Sequence, residues 1–488
     1  MRSMMRSKMR SKMRSTVVFL VVFLGAVPAQ AEVYRTSELG WSRGQDVGEA
    51  FADFLANTVA SGDELVVEGK YRISGTHDLP DDLTITGVEG GGFDVTDAES
   101  DQTRAFLRLG NGNTLRNLSI KYLNTPEPGP GGTHPVRGED FYPMTGITIV
   151  DKSDILIEAC KLYGSINHHL KVAGGSQIQV LKTHVVGGYW TIYLAGDVSD
   201  VEFRHCVIER CQGDGIKTGR GGAFGVKRVL VDSCVFQDNG RDGIDTTGGF
   251  MDSTVRNTIM RRMFSGMDIK SFFESPEHLN TDCMNTGILV ENCTFTDMAN
   301  AISMSTIDRG LEYNDGEYFL DADSAQIYAP HDMDINDCTF ERTGESGVRM
   351  LLMKGGHTVR YQNAMFCGEG VGEVKYTNVY ETFGPETLSQ EVSEALNHSV
   401  EGTLGEPCEA GEPGDTSVPF EVGPEGGDMS GGEDDSGCGC NTAPTATDGL
   451  WLLVFLLAAL GGCRGRRGRR GLRGRRGRRA FRGRAPSS

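Results

Sequence analysis

Between Asp154 and Phe366 one short phrase recurs: ILIEACKL (155–162), VEFRHCVI (201–208), VLVDSCVF (229–236), ILVENCTF (288–295) and MDINDCTF (333–340). Each copy alternates apolar and polar residues and carries a cysteine at the same place: Cys160, Cys206, Cys234, Cys293 and Cys338. Degenerate copies put Thr183, Thr258 and Ala364 there, and successive positions are 23, 23, 28, 24, 35, 45 and 26 residues apart. A base period near 23 with occasional insertions belongs to a solenoid, whose repeats bury their apolar faces only against their neighbours. Period-two alternation predicts a strand for each phrase, and no helical pattern separates the copies. Strands of one kind stacked once per turn give an all-β, parallel β-helix of about ten turns, which the crossover rule makes right-handed.

A second strand follows most copies: HHLKV (168–172), WTIYL (190–194), DGIKT (214–218), DGIDT (242–246), GMDIK (266–270), AISMS (301–305) and GVRML (347–351). One coil therefore reads as strand, tight turn, strand and variable loop. The long steps place insertions at 271–287 and 307–326, and a Pro/Gly-rich loop at 124–143 precedes the regular coils. Insertions of this kind gather on one face of a solenoid, often the binding face.

The cysteine column reads as core, small apolar side chains stacked inward. Its spacing is not that of a zinc site. A Cys206–Cys234 bridge is geometrically open but not required, and Cys367 and Cys408 are the better candidates for a disulfide pinning the tail. In DVGEAFADFLANTVA (46–60), Val47, Phe51, Phe54, Leu55 and Val59 share one helical face. This helix and the following GDELVVEGKYRI resemble the entry segment of pectate-lyase-like β-helix proteins. The resemblance spans roughly 60–370 and implies a helix that covers the open end of the core. It does not fix an activity, because this fold hosts lyases, hydrolases, epimerases and adhesins. A second cap is expected at 385–400.

Residues 1–31 read as a secretion signal: six basic residues, an apolar run, and an Ala29-Gln30-Ala31 cleavage site. The organisation that follows is an N-terminal cap (32–61), the β-helix (62–370), a C-terminal cap (371–404) and an acidic Gly/Pro-rich, disordered linker (405–437). Residues 438–488 close the chain. They hold Cys438 and Cys440 in a Gly-Cys-Gly-Cys box, an apolar run at 450–460 and an Arg-rich tail. This end resembles the Myxo-CTERM sorting signal of myxobacterial surface proteins. The resemblance implies cleavage by a sorting protease, lipid attachment at the box and display on the outer membrane of a bacterial cell. The apolar run is short for a permanent span, and the basic residues after it would stay cytoplasmic.

The two terminal segments hold 18 of the 48 basic residues and one of the 67 acids, so the rest carries a formal charge near −36, against −19 for the whole chain. That excludes nucleic acid as a partner and suits an extracellular setting. The partner expected is polysaccharide or extracellular matrix, bound by a monomer.

Aligning the second strands on Leu170, Ile192, Ile216, Ile244, Met267, Ile302 and Val348 gives an outward column: Lys171, Tyr193, Lys217, Asp245, Asp268, Ser303 and Arg349. A Met267 alignment shifted by two would also expose Lys270. Lys171, Trp190, Tyr193 and Arg349 are candidates for sugar contacts, the aromatics by stacking on rings. Asp245 and Asp268 would repel one another unless a cation or a proton lies between them. Three readings stand: a calcium site completed by Asp242, a glycoside-hydrolase acid pair, or a solvated face. Lys217 is the candidate base for β-elimination of a uronate polymer, provided calcium offsets the neighbouring acids. The expectation is a surface-anchored, calcium-dependent lyase or epimerase, with a non-catalytic adhesin as the alternative. Asp214 and Asp242 also suit plain Asp-Gly turns, and His168-His169 strand filling.

Overall fold

The computed structural model describes residues 31–406 apart from 89, 97–104, 124, 126, 130–143, 220–224, 342–348, 369–371, 377–388 and 397–398. The signal segment up to residue 30, most of the linker, Cys408, and the sorting segment with Cys438 and Cys440 lie outside the described residues. Among those described, no helix is long and apolar enough to cross a membrane.

Every strand pairs in parallel with the strand one coil on, as the repeat predicted. Each full coil nevertheless contributes to three sheets, not two. The first sheet begins with Val33–Arg35 and Glu64–Val67 and ends with Val400–Leu404. The second runs from Lys70–Ile73 through Val207–Glu209 and Val235–Gln237. The third includes Ile216–Thr218 and Asp242–Thr246. Long strands such as Thr145–Glu158, His168–Leu181 and Ile192–Arg204 belong to both the third and first sheets.

The recurrent phrase is thus two strands, with a corner between them. The residue before each cysteine position has φ near +50°: Ala159, Lys182, His205, Ser233, Asn257, Asn292, Asp337 and Asn363. Asn and Asp tolerate this left-handed conformation best. They also ladder between coils, Asn292 Nδ2 donating to Asn257 Oδ1 (2.9 Å) and Asn363 Nδ2 to Asp337 Oδ1 (2.8 Å). Alternation in sequence survives such a corner, so period two alone does not reveal it.

Cys160, Cys206, Cys234, Cys293 and Cys338 are buried free thiols. Each faces the carbonyl two residues back, as in Cys160 Sγ to Glu158 O (3.4 Å) and Cys338 Sγ to Asn336 O (3.3 Å). Thr183 and Thr258 make the same contact through Oγ1, to Leu181 O (3.0 Å) and Arg256 O (2.9 Å). A small side chain with one donor satisfies this corner, which explains why cysteine and threonine alternate there. Cys367 is disulfide-bonded.

The core is one continuous stack that includes Phe236, Met260, Phe295 and Phe340 in register, the last two rings 5.4 Å apart. Helix Gly48–Asn57 covers its N-terminal end. Phe51 and Phe54 are buried against Trp41, and Leu55 and Val59 are partly buried, as expected. The C-terminal cap differs from expectation. Helix Gln390–Ala395 joins a separate small core with Phe273, Leu320 and Ala325 from the two insertions, through Val392 and Leu396. Strand Val400–Leu404 returns to the coil stack.

Candidate functional site

The third sheet sets the predicted column in register: Lys171 with Tyr193, Tyr193 with Lys217, Lys217 with Asp245, Asp245 with Asp268, and Asp268 with Ser303. Arg349 does not belong to it. Leu352 follows Ser303, and Arg349 pairs with Asn300, with Nη1 3.3 Å from Asn300 Oδ1. The strand stands three residues from its expected alignment. Val348 lies outside the described residues.

Asp-Gly-Ile turns precede two of these strands, and they do more than turn the chain. Asp214 and Asp242 come from adjacent coils, and with Asp245 they bring one oxygen each within 4.8 Å of one another. All three are buried. Among the described residues, Asp214 has no hydrogen-bond partner on either carboxylate oxygen, and Asp242 has none on Oδ1. Around them stand three cations. Lys217 Nζ bonds Asp245 Oδ2 and lies 3.8 Å from Asp214 Oδ2. Lys270 Nζ lies 2.9 Å from Asp245 Oδ1 and 2.8 Å from Asp268 Oδ2. Arg241 Nε is 3.9 Å from Asp214 Oδ1.

Burial separates the acids electrostatically. It pushes Asp214 up to about 6, with repulsion from Asp245 adding to it. Burial, then Asp268 and Asp214, hold Asp242 well above the carboxylate range. Burial would raise Asp245 as well, but Lys270 and Lys217 outweigh it and keep that carboxyl below its ordinary value. Burial lowers Lys270, and its acidic neighbours, Asp268 first, more than restore its charge. Among the described residues, four acids face three bases, which leaves one surplus negative charge. A proton on Asp242, the acid held well above its ordinary value, removes it.

Calcium fits this set poorly. Asp245 and Asp268, the expected ligand pair, are bridged by Lys270, and Lys217 occupies the other oxygen of Asp245. Calcium needs six to eight oxygens, and both oxygens of Asp245 are already held by lysines, while Asp214 and Asp242 keep oxygens without a partner among the described residues. Lys217, the expected base, is paired with two carboxylates.

Next to the acids lies an aromatic row. His168 stacks on Tyr193 at 4.8 Å and 12°, and Trp190 on Tyr193 at 5.7 Å and 16°. Lys217 Nζ sits 5.8 Å from the Trp190 ring centre. Trp190, Tyr193 and Lys171 are partly exposed, so the row is open to a ligand. His168 belongs to this row, which strand filling does not describe. Burial lowers it to about 4, so it is a neutral ring at physiological pH. His169 faces the core, with Nε2 2.9 Å from Gly164 O. Sequence reasoning passed over Arg241, and it gave Asp214 a turn, His168 strand filling and Lys270 only an alternative place in the column.

The family model described as "Right handed beta helix region" matches residues 82–260 and 192–372. The Streptococcus pneumoniae surface adhesin PfbA superposes with a TM-score of 0.53 at 9% identity, covering 78% of this chain and 92% of the adhesin. Polygalacturonase from Erwinia carotovora ssp. carotovora gives 0.51 at 11%, covering 72% and 97%. Alginate lyase from Paenibacillus sp. gives 0.40 at 11%, covering 71% and 98%. At these identities the likeness is one of fold. No curated protein sequence matches the chain. The two family matches together span residues 82–372, more than half of the 488, and the chain belongs to the right-handed β-helix family.

Proposed function

We propose that this chain binds a polysaccharide along the third sheet and hydrolyses a glycosidic bond at the Asp214–Asp242–Asp245 cluster. One observation carries the reading: three carboxylates on adjacent coils, within 4.8 Å of one another beside a stacked aromatic row, in surroundings that raise Asp242 and lower Asp245. Environments that push acid groups apart assign the roles. Asp242, held protonated by burial and its acidic neighbours, donates its proton to the leaving glycosidic oxygen. Asp245 stays ionised and stabilises the developing positive charge on the sugar carbon, and a water molecule adds to that carbon and gives its proton back to Asp242. Trp190 and Tyr193 hold a ring by stacking, and Lys171, Lys217 and Arg241 suit an acidic sugar in spite of the strongly negative body. Elimination from a uronate polymer, the calcium-dependent lyase or epimerase chemistry expected from sequence, is less well supported. It needs a strong base, and here Lys217 is paired while Asp245 is a very weak one.

A second reading is favoured by burial. Asp214 and Asp245 are fully covered by protein, so the acids could serve only to fix the lysines of a non-catalytic sugar-binding face. Both readings fit a protein secreted through residues 1–31, sorted by a protease at Cys438 and Cys440, and held at the bacterial surface. The test is incubation with neutral and uronate polysaccharides, scoring new reducing ends and unsaturated ends separately. Reducing ends alone support hydrolysis. Unsaturated products point to elimination, and binding without product leaves the adhesin reading.

A further inference from the structure

The corner column runs Cys160, Thr183, Cys206, Cys234, Thr258, Cys293, Cys338 and Ala364, one residue per coil. Threonine and alanine interrupt it so that two pairs of cysteines stand on adjacent coils while Cys160 stands alone. In the first pair Arg204 is level with Asp232 and Val207 with Val235, so Cys206 is level with Cys234. In the second, Glu291 is level with Asn336 and Thr294 with Thr339, so Cys293 is level with Cys338. Cys206 N also reaches Cys234 Sγ at 3.4 Å. Adjacent parallel strands stand about 4.8 Å apart, inside the roughly 4.4–6.8 Å between Cα atoms that a disulfide spans.

We infer that Cys206–Cys234 and Cys293–Cys338 are two cross-coil disulfide sites, closed by thiol–disulfide exchange while the coils assemble. The balance is that of exchange. One cysteine thiolate attacks a disulfide donor and releases one donor thiol. The neighbouring thiolate then attacks the mixed disulfide and releases the second. Two cysteine thiols are oxidised, one donor disulfide is reduced, and the two protons end on the donor thiols. Timing follows from burial. All four thiols are buried in the finished coil, and burial and contact with Cys206 hold the Cys234 thiol well above its ordinary value. A thiol without thiolate character does not exchange, so the bridges form before the core closes and the folded dithiol resists oxidation.

The test is to refold the whole chain with oxidised and reduced glutathione, block free thiols, and map peptides by mass. The expected result, besides the bridge at Cys367, is two cross-linked peptides, 206 to 234 and 293 to 338, each lighter by two hydrogens. Cys160 and Cys211 should be recovered as free thiols once the chain is unfolded. Reduction should lower the unfolding midpoint of the oxidised protein. Cys234→Thr keeps the corner hydrogen bond and should still fold. In it Cys206 should be recovered free, while the 293–338 link persists. Glutathione adducts or free thiols at all four positions in correctly refolded protein would overturn the inference. So would cross-links that include Cys160 or Cys211.

Discussion

Lys270 Nζ reaches across to the neighbouring coil and stands 2.9 Å from Asp245 Oδ1. The charge that a metal was expected to supply is carried here by a side chain. Removing it should leave Asp268 without its lysine and Asp245 with Lys217 alone. Breaking one partner of a buried pair costs about 3–5 kcal/mol. Lys270→Met should lose stability of that order in urea unfolding, whereas Lys171→Met, on the open part of the same face, should lose little. The double variant Lys270→Met/Asp268→Asn should recover part of the loss, because the orphaned charge is gone.

The acids predict a pH dependence of definite sign. The Asp214 carboxyl sits at about 6 in the folded chain against an ordinary 3.8, through burial and then Asp245. A group raised on folding contributes fully below about pH 4, and that contribution is lost as the pH rises through about 6. Asp214→Asn removes the loss. Relative to the native chain it should gain on the order of 2 kcal/mol between about pH 4 and about pH 7. Unfolding midpoints of both proteins at the two ends of that window provide the check, and parallel curves would mean that Asp214 is not raised.

Calcium should not stabilise the protein. A cation bound only by the folded state would raise the unfolding temperature by mass action. Lys217 and Lys270 already neutralise Asp245 and Asp268, so a calcium titration of metal-stripped protein should leave the midpoint where it was. A rise abolished by Asp242→Asn would restore the metal site that the sequence suggested.

The solenoid was legible because one phrase repeats, and the cap helix because Phe51 and Phe54 share a face. The corners were not legible. His205 and Ser233 lie inside an unbroken apolar–polar alternation, and nothing in that pattern marks a residue with φ near +55°. Most of the outward column was also readable, since strand register follows from the inward apolar residues. It failed at Arg349, where the strand pairs three residues from the expected alignment. The acid cluster was half visible. Asp214 and Asp242 are 28 residues apart, the same step as Cys206 to Cys234, which puts them on adjacent coils. What sequence could not show is that two turn residues fold back onto the strand carboxylate of Asp245, or that Lys217 and Lys270 both hold Asp245.

Stacking should carry much of the sugar affinity. Trp190→Ala and Tyr193→Ala each remove one ring of the row, and an aromatic contact is worth about 0.5–1.5 kcal/mol. Each variant should bind an oligosaccharide ligand up to about tenfold more weakly by calorimetry, with folding unchanged. Equal affinity in both variants would move the ligand off this face.

The most direct measurement is polysaccharide cleavage by Asp242→Asn, with binding measured on the same samples. General acid catalysis contributes about 10²- to 10⁴-fold. The variant should therefore bind like the native chain and lose reducing-end release by at least about 100-fold. Full cleavage by Asp242→Asn would contradict the assignment of Asp242 as the proton donor.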